Sequence, residues 1–246
     1  MTLWYLDRMG MVSSKAFDIF KDSQLFLLFV AALHFSDRHK LGINPLVKYP
    51  RGVAQTHEGA VLELPRATRS DGKLLTSILK FDLRISVDTP LVVAYGALGR
   101  GTTVVPVLAT GHTKRAVGDD NLVVKLSWPS IHRKSEADII RIVRKKLGDH
   151  QEGRAYVRNI VELRCSLERT SAEMNLPRAF MALPEPYEPR LFRALVLKEY
   201  LPLEQVESLD HFTIVYIHVF DGMLPNYHLW VFDRILISFF STSLGL

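Results

Sequence analysis

The chain has almost no cysteine. Cys165 is its single one, so no disulfide can form within it, which suits a reducing compartment, cytosol or nucleus. It also lacks a long hydrophobic run. The most apolar stretch, Leu25 to Leu33, is far shorter than the ~20 residues that a membrane-spanning helix needs. The apolar C-terminal residues Phe239, Phe240 and Leu244 are interrupted by Ser238, Ser241, Thr242 and Ser243. No secretory leader is visible at the N-terminus, where Asp7 comes early and no basic region precedes an apolar run. A soluble, intracellular chain without a membrane partner is the expectation. Internal repeats, low-complexity tracts, zinc-ligand spacing and an aromatic RNA-binding signature are all missing as well.

What is present is ordinary globular composition. The 246 residues are 48% hydrophobic and 23% charged, enough for one domain or one and a half and for a core without staples. The net charge is +5 and the isoelectric point is near 9.3. Arg141, Arg144, Lys145 and Lys146 cluster near the end of an expected helix, where cations favour the helix dipole. Nucleic-acid binding is not required to explain them and ranks lowest among the readings.

Hydrophobic period and turn residues place the elements. Asp22 to Phe35 reads as a helix with Leu25, Phe26, Leu28, Phe29 and Ala32 on one side, ended by Gly42 and Pro45. Ala60 to Leu64 and Leu74 to Val87 read mainly as strands. Leu91 to Tyr95 and Thr103 to Leu108 are two strands around the glycine loop Gly96-Ala97-Leu98-Gly99-Arg100-Gly101-Thr102. Asn121 to Leu126 is a further strand. Ser135 to Leu147 is a helix with Ser135 as N-cap and Asp138 in the capping-box position. Asn159 to Arg164 and Phe192 to Glu199 are strands, separated by an irregular segment that Pro184, Pro186 and Pro189 mark. Val206 to Met223 is a long helix. This order describes an α+β layout, an antiparallel five-stranded sheet with one helix on it.

Three features carry chemistry. Gly96, Gly99 and Gly101 allow close backbone approach, and their N–H groups can cradle phosphate oxygens; an ordinary hairpin is the plainer reading. Lys125 lies in the apolar strand Leu122-Val123-Val124-Lys125-Leu126, where lysine needs a partner if buried; an outward, solvated lysine is the alternative. Glu136 falls with Ile140, Val143 and Leu147 on the apolar stripe of the following helix. A buried carboxylate there needs a cation, and Lys125 is the nearest candidate; a first-turn acid favoured by the dipole is the alternative. Glycine loop, strand lysine, helix glutamate is also the order of a kinase small lobe.

Further segments extend this order: Leu3-Trp4-Tyr5-Leu6-Asp7-Arg8-Met9-Gly10 with Ser13 and Ser14, Leu41-Gly42, Gly99-Arg100-Gly101-Thr102-Thr103-Val104, Val123-Val124-Lys125-Leu126-Ser127-Trp128-Pro129, and Arg193 to Leu203. On these residues the sequence resembles the fungal-type protein kinase domain, from about residue 2 to 230. Lys-x-Ser-Trp-Pro is the most specific of the segments. The resemblance implies that Lys125 anchors phosphate with Glu136 as its helix partner. Glu199 to Leu201 would be a hinge that meets adenine, and Val104 would roof the purine. The loop reads G-x-x-G-x-G rather than G-x-G-x-x-G, a departure from the usual kinase spacing.

Phosphoryl transfer also needs a carboxylate at the acceptor hydroxyl and groups that hold Mg²⁺. Kinases draw these from His-Arg-Asp…Asn and Asp-Phe-Gly segments after the hinge. Here Tyr227 to Phe232 resembles the end of the long helix. The chain then runs Asp233-Arg234-Ile235-Leu236 to Leu246 without either segment. His132-Arg133-Lys134, Phe220-Asp221-Gly222 and Asp233-Arg234 are decoys, wrong in position or in their neighbouring residues. The abrupt loss of the pattern suggests a shifted reading frame or a retained intron over the last dozen residues. The expectation is therefore an N-terminal extension (1–70), a kinase-like small lobe (71–205) and a stub of the large lobe (206–246). By family such a chain is an ATP-dependent phosphotransferase. By itself it would be an inactive, pseudokinase-like piece. ATP would bind weakly or not at all, and Mg²⁺ only with the rest of the large lobe present. The substrate or partner protein is not named by the sequence. A non-catalytic partner-binding module is the competing expectation.

Overall fold

The computed structural model describes residues 1–37, 40–42, 44–50, 59–84, 92–93, 99–118, 120–151, 153–181, 187–200 and 208. Gly96, Leu201 and the expected helix over 206–223 lie outside these, apart from Ser208. An N-terminal hairpin pairs β1 (Trp4–Asp7) with β2 (Gly10–Ser13). Helix α1 comes next (Ser23–Phe35). Then come short strands β3 (Val47–Lys48), β4 (Val61–Leu64), β5 (Thr68–Arg69) and β6 (Leu79–Leu83). The later chain supplies β7 (Val92–Val93), β8 (Thr103–Ala109), helix α2 (His112–Val117), β9 (Leu122–Ser127), helix α3 (Glu136–Asp149), β10 (Leu163–Arg169) and β11 (Phe192–Lys198).

Among the described residues the main sheet has nine strands, not five. Its order is β3-β4-β6-β8-β9-β11-β10-β5, with β7 also on β8, and the pairs are antiparallel. The five expected strands are neighbours within it as β7-β8-β9-β11-β10. The additional four come from residues 47–83: β4 and β6 fall in the expected strands Ala60 to Leu64 and Leu74 to Val87, now joined to the same sheet, while β3 and β5, two residues each, leave no alternation in the sequence. β4 is second from one end of the order and β5 is at the other end, yet only Pro65, Arg66 and Ala67 join them. Three residues span about 10 Å at most, so the sheet must curl back on itself. The main core fills the inside of the curl, with Leu62, Leu64, Phe81, Val107, Val124 and Val196 at its centre.

A smaller core lies on the other face. Ala137 and Ile140 of α3 pack there on Leu195 and Leu197 of β11 and on Leu163 of β10. Arginines lock α3 in place. Arg141 donates to Ser166 Oγ at 2.7 Å and to the Thr68 carbonyl. Arg144 donates to the Ile160 carbonyl at 2.6 Å and to that of Val157. Two of the four clustered cations thus work inside the fold, while Lys145 and Lys146 are exposed.

Three local expectations need correction. Ser135 holds the N-cap position of α3, but its side chain makes no capping bond. Its carbonyl accepts from Ile139 N–H, and Asp138 turns to Arg141 instead of closing a capping box. The strand expected from Asn159 begins only at Leu163. Gly153–Asn159 is a 3₁₀ helix whose exit carbonyls face Arg144 rather than a neighbouring strand. Finally, α1 buries no residue. Leu25, Leu27, Leu28 and Phe35 are exposed, so its apolar side is not the core face that the periodicity suggests.

Candidate functional site

Alternation along β9 decides what each residue meets. Val123, Lys125 and Ser127 point to the α3 face, while Leu122, Val124 and Leu126 point into the curl. Lys125 Nζ lies 2.9 Å from Glu136 Oε1 and 3.1 Å from Oε2. The lysine side chain is 16% exposed and the glutamate 28%. One face of this pair is therefore packed and the other open to solvent. Glu136 is the first residue of α3, so the positive end of the helix and the lysine both stabilise its carboxylate.

Val104 stands directly opposite Lys125 in the β8–β9 register and shares its face. Just upstream, Gly99 and Gly101 take φ of +94° and +49°, the left-handed region that glycine enters without steric cost. This limb of the loop is tied at two points. Gly99 N–H donates to the Arg8 carbonyl at 3.2 Å. Trp128 N–H donates to the Arg100 carbonyl at 2.7 Å. At Gly101, a methyl group in place of the α hydrogen would overlap the Arg8 guanidinium.

Glu199 lies just past the end of β11. Its N–H donates to the Asn121 carbonyl at 2.8 Å, and its carboxylate accepts from Arg84 Nη2 at 2.8 Å. That bond carries the β9–β11 ladder one residue past Lys198. The structure thus brings together Val104, Lys125 and Glu136. It places Gly99 and Gly101 on the limb that leads into β8, and Glu199 at the far end of β11.

Sequence reasoning missed Arg8, Arg84 and the pair Asp7–Arg178. Arg178 Nε and Nη2 donate to the two Asp7 oxygens at 2.6 and 2.7 Å, and Nη2 donates again to the Gly10 carbonyl. Arg178 is 4% exposed and its guanidinium lies 5.7 Å from the Tyr5 ring centre. Burial and the Asp7 charge push the Tyr5 phenol up to about 12. Asp7 and Arg178 are 171 residues apart, so no periodicity in the sequence could have linked them.

A cleft of about 650 Å³ opens on the face opposite Lys125, between the N-terminal hairpin and the mouth of the curl. Trp4, Leu33, Leu126, Trp128 and Phe192 line it, and Lys125, Glu136 and Val104 do not. Among the described residues no three His, Cys, Asp or Glu side chains come together to hold a metal ion, and no helix is long and apolar enough to cross a membrane.

Residues 1–178 match the family described as fungal protein kinase. The segment Arg193 to Leu203 lies beyond that match. No curated protein matches the chain, and no solved structure does.

Proposed function

The chain belongs to the fungal protein kinase family, and from that premise we propose that the Lys125 face of the sheet is a nucleotide-phosphate site. The observation that carries this reading is the ion pair of Lys125 with Glu136 directly across from Val104. A lysine held by a carboxylate on a half-open face is oriented before any ligand arrives, and its ammonium can meet the α- and β-phosphates of ATP. The apolar Val104 beside it suits the purine. Gly99 and Gly101 have the backbone freedom to approach phosphate closely. When bound, ATP supplies the transferable phosphoryl group and Mg²⁺ neutralises its charge. No magnesium ligand is assigned among the described residues.

Within the 246 residues there is no His-Arg-Asp and no Asp-Phe-Gly segment. Transfer depends on carboxylates at the acceptor and on the metal, which supply most of the electrostatic stabilisation. We therefore expect these residues on their own to bind ATP weakly and not to transfer its phosphate. Calorimetric titration with ATP and thermal shifts test this. Wild-type chain should be stabilised by millimolar ATP, and Lys125→Met and Glu136→Gln should lose the shift. Equal shifts in all three proteins would remove the site from the Lys125 face. Label transferred by wild type and lost in Lys125→Met would overturn the inactive reading.

A second reading, a non-catalytic module that holds a partner protein, draws on α1. Its thirteen residues carry no Asp, Glu, Lys or Arg, and none is buried. A helix that apolar normally buries a face. This reading gains if ATP shifts neither wild type nor Lys125→Ala while a partner remains bound to both.

A further inference from the structure

The contacts at Gly99 and Gly101 have a direction. Arg8 lines the cleft together with Thr103, Leu126 and Trp128. In the β8–β9 register Thr103 pairs with Leu126, one residue along from the Val104–Lys125 pair. Neighbouring residues of a strand face opposite ways. Arg8 therefore grips the glycine limb from the side turned away from Lys125. The Gly99 N–H, bonded to the Arg8 carbonyl, is likewise spent on that side.

We infer that Arg8, at the tip of the N-terminal hairpin, is a positioning residue that holds the Gly99–Gly101 limb back from the Lys125 face, so that the hairpin and a nucleotide phosphate compete for the Gly99 N–H. The inference rests on the nucleotide reading above and adds its regulation. One N–H cannot donate fully to two acceptors on opposite faces of a loop. A phosphate beside Lys125 that draws on Gly99 must first break the bond to Arg8.

The hairpin is well placed to resist. Its tip is fixed by the two Arg178–Asp7 bonds and by the Arg178 bond to the Gly10 carbonyl. Arg178 itself sits in the 3₁₀ helix Pro177–Phe180 and is buried. The other strap, Trp128 N–H on the Arg100 carbonyl, comes from the same short segment as Lys125. Trp128 is in turn seated on Phe192, with ring centres 5.3 Å apart. Lys-x-Ser-Trp-Pro thus serves both faces, with the lysine turned to Glu136 and the tryptophan holding the loop. Gly101 also has a reason independent of phosphate, its φ of +49°, which glycine adopts without steric cost; a side chain there would in addition push the Arg8 guanidinium aside.

The test uses the full chain with ¹⁵N-labelled glycine, so that hydrogen exchange of the Gly99 amide and binding of ATP are read on one sample. Asp7→Asn loosens the anchor while it keeps the shape of the side chain. Arg178→Lys keeps the charge but cannot reproduce the two-pronged contact with Asp7, and serves as the second variant if Asp7→Asn does not fold. In wild type the Gly99 amide should be protected, and ATP should abolish its bond to Arg8. In either variant the Gly99 amide should exchange faster, and ATP should bind about fivefold more tightly, the equivalent of one ordinary hydrogen bond released. In Lys125→Met, ATP binding should vanish while Gly99 stays protected. Faster exchange with unchanged or weaker ATP binding overturns the competition. An unprotected Gly99 amide in wild type does the same and leaves the nucleotide site standing. If neither wild type nor the loosened variants bind ATP although Gly99 is protected, the nucleotide reading itself falls and the competition falls with it.

Discussion

Lys125 reaches Glu136 across eleven residues of chain and closes β9 against the first turn of α3. The contact does two things at once. It neutralises a lysine that would otherwise stand alone on an apolar strand, and it fixes the rotation of α3 about its axis. Both side chains keep some contact with water, so the pair should contribute less than a buried one. A double-mutant cycle of Lys125→Met and Glu136→Gln in urea should give a coupling of about 1 kcal/mol. A coupling near zero would mean that the helix is held by its apolar face and its arginines alone.

That pair was legible in the sequence because each member sits in a strong pattern. Lys125 breaks an apolar strand, and Glu136 continues an apolar stripe. β8, β9, β11 and α3 were legible for the same reason, with runs of six or more residues at a clear period. β3 and β5 were not, since two residues cannot display alternation; β7, equally short, was read from the longer apolar run Leu91 to Tyr95. The curl was hidden as well, because it depends on β5 joining β10, a pairing of only two residues. The grip of Arg8 on the glycine limb and the anchor at Asp7 could not be read at all. They are tertiary contacts between polar residues in turns, where neither period nor propensity leaves a trace. Helix α1 is a different case: a strong apolar signal gave the helix, and none of its residues is buried.

Cys165 lies on β10, the last strand but one of the sheet order, fully buried between Val196 of β11 and Arg69 of β5. Burial pushes its thiol up to about 12, although Arg141 pulls in the other direction. The nucleophile in thiol chemistry is the thiolate, and here it is both scarce and shielded. Native protein at pH 8 should therefore resist an aromatic disulfide reagent. Reaction should track global unfolding, with the rate rising in step with the unfolded fraction as denaturant is added. Rapid stoichiometric labelling of the native chain would show that β10 opens locally.

The same two raised groups set the alkaline limb of stability. The Cys165 thiol rises from an ordinary 9.0 and the Tyr5 phenol from 10.0, each to about 12. Both groups must lose a proton to become charged, and the folded state holds that proton longer than the unfolded state does. Between pH 9 and 12 the unfolded chain binds fewer protons, so stability falls as pH rises. Below about pH 8 these two groups contribute almost no slope. Melting temperature measured from pH 8 to 11.5 should decline, less steeply in Cys165→Ala above pH 9 and in Tyr5→Phe above pH 10. Parallel curves for the variants and wild type would assign the decline to other groups.

Arg178 holds the hairpin to the body of the protein through a buried, two-pronged contact with Asp7. Taking both charges out of water is costly, and their attraction roughly offsets that cost. The effect of a substitution therefore depends on which charge is left behind. Arg178→Met leaves Asp7 without its cation and the Gly10 carbonyl without its donor, and should cost about 3 kcal/mol. Asp7→Leu combined with Arg178→Met removes both charges and should cost clearly less than the single change. Unfolding in guanidinium, monitored by Trp fluorescence, measures both. The single and double variants share one further effect. Each should release the tip of the hairpin, so Gly99 exchange should quicken in both even where the double variant recovers stability. Recovery of stability together with full protection of Gly99 would show that Tyr5 and the strand pairing hold the hairpin in place without the ion pair.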